Sequence, residues 1–301
     1  ARVLNLLKVY DEHGETDDWH ERPMFRTPAL NTALIIKHRL RRNETDAFPG
    51  RRQVATKVVV PIDVEAFGFW LKAAFGAPTT TGTTPKTHTF QSGNWTLPSM
   101  AIEVAMPEVP RFAMYAGCVM DQLSWQMNRS GLLTATARLI AQGEAIATTT
   151  AAGTPTALGL QRFGHFNGVV KRNGTALGNV VSAEITYANG LDRIETIRND
   201  GKIEGADPGM AALTGRIEVR FADPALVTRA IDGTPCELEF AYSLGANASF
   251  TFTAHAVYLP VPRIEIPGPQ GIQATFDWQA AKATSPARMC TAVLVNTVTG
   301  Y

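Results

Sequence analysis

No apolar run in this 301-residue chain approaches the roughly 18 residues of a membrane-spanning helix. The start, Ala1-Arg2-Val3-Leu4-Asn5-Leu6-Leu7-Lys8, lacks the apolar core and small-residue cleavage site of a signal peptide. Cysteine is scarce: Cys118, Cys236 and Cys290 are an odd number, widely spaced, with no C-x-x-C pair. A disulfide framework and a structural zinc site are both excluded by that pattern, and synthesis in a reducing cytoplasm is expected. Charge is thin as well. Charged residues make up 18% of the chain, against about 25% in an average globular domain. The net charge of +1 excludes a strongly basic nucleic-acid binder on bulk charge. With 45% hydrophobic residues, a large core is available while few charges keep a lone monomer soluble, so self-assembly is expected.

Strand patterns dominate what is present. In Ser249 to Tyr258, Phe250 and Phe252 fall on one face, Thr251 and Thr253 on the other, the period-two signature of a half-buried strand. Gln122–Met127, Val181–Tyr187 and Arg216–Phe221 alternate likewise. Turn dipeptides separate such runs: Asn173-Gly174, Asn189-Gly190 and Asp200-Gly201. Helical patterns are few. Pro61 to Phe75 has Asp63 as an N-cap, an apolar face of Val64, Phe67, Leu71 and Phe75, and a stop at Gly76 and Pro78. Asp223 to Ile231 is a shorter candidate, with Pro224 at its first position and a stop at Gly233. Ala77 to Lys86 is read as a surface loop, and the small, patternless Ala147 to Pro155 as an interdomain linker.

Landmarks recur in order along the chain. Pro49-Gly50, then Lys57-Val58-Val59-Val60 and a helix, is followed 159 positions later by Pro208-Gly209, Arg216-Ile217-Glu218-Val219 and a helix. Ser124-Trp125-Gln126 recurs 153 positions on as Asp277-Trp278-Gln279, each before a last apolar strand, Leu133 to Ile140 and Met289 to Val295. The expectation is a mainly β protein of two similar β-sandwich or barrel domains, each with one short flanking α-helix. Their boundaries are 1–146 and 159–301, joined by a linker at 147–158.

Catalytic signatures are missing. There is no G-x-S-x-G elbow, no Walker loop and no G-x-G-x-x-G after a strand. The six histidines include no i, i+4 pair on a helix, and His255 in its strand reads as structural. The acidic stretch around His13 and His20 has no calcium-loop spacing. Glu204 and Asp207 lie close in a loop, where neighbouring carboxylates are ordinarily solvated, and Cys118 reads as a small buried hydrophobe. In the basic run Lys37-His38-Arg39-Leu40-Arg41-Arg42, a strand would place Lys37, Arg39 and Arg41 on one face. That ladder suits phosphates, or else an exposed strand face or a subunit contact pairing with carboxylates. No interleaved aromatics offer single-strand stacking, which favours the exposed face or contact. No catalytic, cofactor or metal residues are assigned.

The run Lys86 to Met100, with its Thr87-His88-Thr89-Phe90 and Pro98-Ser99 leading into a strand at Ala101 to Ala105, resembles a segment of phage major tail tube proteins. Tyr115-Ala116-Gly117-Cys118, the paired strands Met120–Met127 and Leu132–Ala141, and the closing Gly268-Pro269-Gln270-Gly271 fit the same family. The resemblance is to the tail tube proteins of long-tailed, non-contractile phages. It implies a β-sandwich whose inner sheet joins its neighbours' sheets in a barrel, and stacked rings conducting DNA from a virion tail. It implies no enzyme activity and no cofactor. Implied partners are further copies of the chain, the tail terminator, tape-measure and distal tail proteins, and DNA passing without sequence-specific binding. Bores of this family tend to be acidic, from which the basic run departs. Alternatives are a baseplate hub or secretion-tube ring protein, a carbohydrate-binding β-sandwich, which would need clustered exposed aromatics, and a virion hydrolase.

Three expectations about assembly complete the reading. Inter-ring contacts are expected from two long loops: Asn43, Glu44, Asp46, Phe48, Pro49, Gly50 and Arg51 in one, Glu204, Asp207 and Pro208 in the other. The N-terminal arm, through Leu4, Leu6, Leu7, Asp11, Glu12 and Trp19, is expected to order against neighbouring subunits. Two tube domains per chain would give a ring of three chains with pseudo-sixfold symmetry.

Overall fold

The computed structural model describes residues 25–26, 33–37, 55–106, 108–153, 161–196, 202–220, 225–262 and 273–301, the first two segments and residues 55–56 and 225 by backbone alone. Along the chain come β1 (Phe25–Arg26), β2 (Ala33–Lys37), β3 (Ala55–Pro61), α1 (Phe67–Phe75), β4 (Thr79–Thr81), β5 (Lys86–Gln91), β6 (Met100–Met106), β7 (Arg111–Met127), β8 (Thr134–Ile140) and β9 (Gly143–Ala147). After a 3-10 turn at His165–Asn167 follow β10 (Gly168–Arg172), β11 (Thr175–Ala176), β12 (Val180–Ala188), β13 (Asp192–Ile194), β14 (Gly205–Asp207) and β15 (Ala212–Arg220). The chain closes with α2 (Ala225–Asp232), β16 (Cys236–Gly245), β17 (Ala248–Tyr258), β18 (Gln273–Ala281) and β19 (Cys290–Asn296). The protein is mainly β, a sandwich of large antiparallel sheets with two short helices.

One sheet runs β3-β8-β7-β12-β15-β18, antiparallel throughout. Its middle ladder, β7 with β12, pairs Met127 with Ala183 and Gln122 with Ala188. A second row runs β11-β10-β16-β17-β19-β5-β4, and short pairing of β17 with β18 joins the two. A third group, β1-β2-β6-β9, is organised on the first half of β7, with β2 parallel to β6.

The core lies between the sheets because the period-two pattern sends alternate side chains inward. In β17, Phe250 and Phe252 are fully buried while Thr251 and Thr253 are half-buried. Trp125 of β7 packs edge-on against Phe252 at 5.0 Å, and Trp278 of β18 stacks on Phe240 of β16 at 6.1 Å. Burying each such side chain contributes about 2–3 kcal/mol.

Helix α1 plugs one side of this core through Phe67, 5.2 Å from Phe250, and Phe75, 4.5 Å from Tyr187. It departs from the sequence expectation in two ways. It begins at Phe67, because Asp63 caps the turn before it: Asp63 Oδ1 accepts from the backbone N–H of Glu65 and of Ala66. It is also buried nearly all round, Trp70, Ala73 and Ala74 included. The residue that closes its far side is Tyr301, whose ring lies so close that a Cβ on Gly68 would sit 2.2 Å from it. Tyr301 Oη donates to Glu65 O at 2.6 Å and accepts from Asn296 Nδ2 at 2.6 Å.

Other expectations need correction. Ala77 to Lys86 is not all loop, since Thr79–Thr81 forms β4 against β5. The expected loop holding Glu204, Asp207 and Pro208 is not all loop either: Gly205–Asp207 is β14, paired with β13 in a two-stranded arm. Asn173-Gly174 makes the expected tight turn, with φ of 47° and 79°, the left-handed pair of a type I′ hairpin. Asn189 is more than a turn residue. It is buried, and its amide donates to Ala74 O of α1 at 3.1 Å and Met120 O of β7 at 2.9 Å. The stretch read as a linker begins within β9 at Ala147, and its Thr150 hydroxyl and Ala151 N–H donate to the buried Glu103 carboxylate. The Asp200-Gly201 turn lies outside the described residues.

The two halves of the chain share an order of pairing. In each, a strand precedes a helix (β3 and α1; β15 and α2), and a hairpin comes later (β6–β7, after a β4–β5 hairpin that the second half lacks among its described residues; β16–β17). Two successive strands then line the hairpin's second strand, β8 and β9 on β7, β18 and β19 on β17. The first of these also pairs the strand before the helix, β8 with β3 and β18 with β15. Of the landmarks 159 positions apart, Lys57–Val60 and Arg216–Val219 fall on corresponding strands, β3 and β15, while Pro208-Gly209 lies between β14 and β15 and Pro49-Gly50 is outside the described residues. The Trp-Gln landmark does not: Trp125 is in β7 and Trp278 in β18, which hold different places.

Candidate assembly and conduit surfaces

The six-stranded sheet has one face in the core and one turned away from it. Reading the residues that alternate with buried neighbours gives the outer face: Lys57, Val59, Thr134, Thr136, Arg138, Gln122, Ser124, Gln126, Ser182, Glu184, Thr186, Ala188, Ala212, Thr214, Arg216, Glu218, Arg220, Gln273, Thr275, Asp277, Gln279 and Ala281, polar but for Val59 and three alanines. There is no aromatic residue among them. Register aligns them in bands. Thr136, Ser124, Thr186, Thr214 and Gln279 lie side by side across five strands, an unbroken row of hydroxyls ending in an amide.

The next band is ionic but balanced. Glu184, Arg216 and Asp277 are neighbours across β12, β15 and β18, with Arg216 Nε 3.3 Å from Asp277 Oδ1. Both partners are more than half exposed, so the pair adds little stability but cancels charge locally. Ser182 Oγ donates to Glu218 Oε2 at 3.1 Å. Over the whole face the bases Lys57, Arg138, Arg216 and Arg220 oppose the acids Glu184, Glu218 and Asp277. Such a surface is wettable, nearly neutral and without a stacking platform for bases. It offers a polyanion neither a sticky basic track nor a hydrophobic one.

Among the described residues, the cysteines and histidines hold structural places. Cys118, Cys236 and Cys290 are buried, and burial pushes the thiols of Cys118 and Cys290 up to about 12, far from the thiolate a nucleophile needs. His255 is held in its strand by Glu237 at 3.1 Å and Thr291 at 2.8 Å. His88 is buried, with Nε2 facing Asn296 Oδ1 and Val298 O and Nδ1 facing Thr80 Oγ1; desolvation lowers its pKa. Burial lifts Asp63 to about 7 despite its two backbone donors. No cluster of three metal-binding side chains occurs among the described residues. A shallow groove beside Val64, Gln161 and Asn247 has Glu65 as its one ionisable lining residue.

The expected contact residues divide. Glu204 sits at the base of β14, its N–H donating to Ile194 O, its carbonyl accepting from Gln142 Nε2 at 2.8 Å, and its carboxylate accepting from Thr196 Oγ1. It ties the β13–β14 arm to its own chain. Asp207 ends β14 and is exposed, Pro208 after it is half-buried, and Met210 is exposed. Asn43, Glu44, Asp46, Phe48, Pro49, Gly50 and Arg51 lie outside the described residues, as do Leu4, Leu6, Leu7, Asp11, Glu12 and Trp19. The basic run enters the structure only at Lys37, the last residue of β2, which pairs with β6 away from the polar face.

A broad polar sheet face, presented by a chain with aromatic residues packed behind it, is a surface fit for assembly. Comparison with family models decides it: the model described as phage tail tube protein matches residues 39–280. The chain belongs to the phage tail tube protein family. No curated protein matches its sequence. As a member, it is a structural component of the virion, and it self-assembles into a tube together with other tail proteins. Sequence reasoning missed the hydroxyl band, since it emerges only from register: single Ser and Thr residues in four separate strands look like ordinary solvent-facing positions.

Proposed function

We propose that the chain builds the tail tube of a long-tailed, non-contractile phage, as rings of three chains with pseudo-sixfold symmetry, and that its polar sheet face lines the bore. The carrying observation is the six-stranded sheet itself. Three of its strands, β3, β8 and β7, come from the first half of the chain and three, β12, β15 and β18, from the second, joined at the β7–β12 ladder. The shared order of pairing supports two tube units per chain, divided as 1–146 and 159–301. Chains placed side by side, with β3 at one end of the row and β18, with the short stretch of β17 paired to it, at the other, close a barrel without edges.

In that barrel the hydroxyl band and the balanced ions face the DNA. In this reading DNA passes without sequence-specific binding, its phosphates meeting a face of nearly balanced charge. The chain has no enzymatic role in this reading. It is made in the host cytoplasm and meets the tail terminator, tape-measure and distal tail proteins at the tube's ends and interior. The terminal arm around Leu4 to Trp19 orders against neighbouring subunits. Native mass spectrometry of rings released from assembled tubes tests the stoichiometry. Three chains per ring are expected, and six would refute the duplication.

A further inference from the structure

The register of the six-stranded sheet defines two opposite ends. At one, β7 leaves Met127 for Arg129 and β15 finishes at Arg220; at the other, β12 passes through Gly190 into the β13–β14 arm, which returns through Met210 to β15. These ends are complementary. At the first, Phe166 is 83% exposed, yet it stands on a firmly bonded turn. Asn167 N–H donates to Gly164 O, Gly164 N–H to Asn167 Oδ1, His165 N–H to Gly131 O and Asn128 N–H to His165 Nδ1, all at 3.0–3.1 Å. At the second, Met210 is 90% exposed, and its backbone is pinned against Gly190, where a Cβ would lie 2.7 Å from Met210 O. Large apolar groups presented on fixed backbone lose little entropy when they dock.

The charges match in the same sense. Asp192 and Asp207 are direct cross-strand partners in the arm, and both are exposed. Like charges placed opposite one another destabilise a strand pair unless a cation joins them, and neither aspartate has an ion-pair partner among the described residues. At the far end Arg129 and Arg220 are exposed and likewise have no carboxylate partner among the described residues.

We propose that the Asp192–Asp207–Met210 end of one chain seats on the Arg129–Phe166–Arg220 end of a copy in the adjoining ring. This rests on the tube reading and gives the stacking contact both of its surfaces. A head-to-tail contact between unlike ends does not close on itself, and so extends a stack of rings.

The test uses the full chain in three forms: a D192R/D207R variant, an R129D/R220D variant, and the fourfold swap carrying all four changes. Each is checked for parent-like folding by circular dichroism, then for rings and tubes by electron microscopy and sedimentation. Either one-ended variant is expected to give rings with at least a tenfold loss of tube mass, and the fourfold swap to restore tubes. Parent-level tubes from the one-ended variants, or failure of the folded fourfold swap, overturns the proposal. A second measurement does not depend on charge reversal. A chain with Met210→Cys and Phe166→Cys, both at exposed positions, should form an oxidised ladder of chains in tubes, the native cysteines being buried. Tubes without a ladder overturn the proposal. If the parent chain forms neither rings nor tubes, the tube reading itself fails, and this contact with it.

Discussion

Replacing Asn189 by alanine tests how the two halves of the chain are fastened. Its side-chain amide is 4% exposed and donates twice, to the last turn of α1 at Ala74 O and to β7 at Met120 O. It sits just beyond β12, so one side chain links a helix and strand of the first half to a strand of the second. Truncation leaves two buried carbonyls short of a donor, each costing about 1–3 kcal/mol. With partial relaxation the loss should be about 2–4 kcal/mol. Asn189→Asp should be worse above pH 6, because it turns a double donor into a charged acceptor aimed at two carbonyl oxygens. Urea denaturation reads this as a lower midpoint at unchanged slope. A loss under about 0.5 kcal/mol for Asn189→Ala, or an aspartate variant more stable than the alanine one, would refute the reasoning.

Other outcomes follow from the same geometry. Gly68→Ala should destabilise the parent by about 1–3 kcal/mol, since its Cβ collides with Tyr301. In a Tyr301→Ala background the sign should reverse to a gain of about 1 kcal/mol from helix propensity, and a gain in both backgrounds would contradict the packing. Asp63 titrates near 7 when folded against 3.8 otherwise, so between those values the folded chain keeps a proton that the unfolded chain releases. Stability contributed by this group therefore falls as pH rises from about 4 to 7. Asp63→Asn should flatten that fall and be more stable than the parent at pH 8, and a difference between the two that does not vary with pH would reject it. Deleting Glu44 to Gly50 should leave a folded chain unable to form tubes, and normal tubes in electron micrographs would sink that role.

Strand content was legible because a strand with one face in the core writes period two into its residues: Phe250 and Phe252 against Thr251 and Thr253 needed no tertiary information. Glycine-bearing turns were equally local, as at Asn173-Gly174. Helix α1 was found, but its start was misplaced because Asp63 caps a turn and a helix equally well by sequence. Its full burial was invisible because Tyr301, the residue covering its far side, lies 233 positions from Gly68. Half of the repeat was readable where corresponding strands kept their spacing, at β3 and β15. The Trp-Gln match misled because large aromatics suit any inward strand position, so Trp125 and Trp278 look alike without holding the same place. The hydroxyl band and the complementary ends depend on ladder register and long-range pairing, neither of which a linear pattern records.

A reconstruction of assembled tubes at side-chain detail bears most directly on the central claim. The account predicts Ser124, Thr136, Thr186 and Thr214 lining the bore, with Trp125 and Phe252 behind them in the wall. Tubes in which that face points outward, or is covered by a neighbouring subunit, would contradict it.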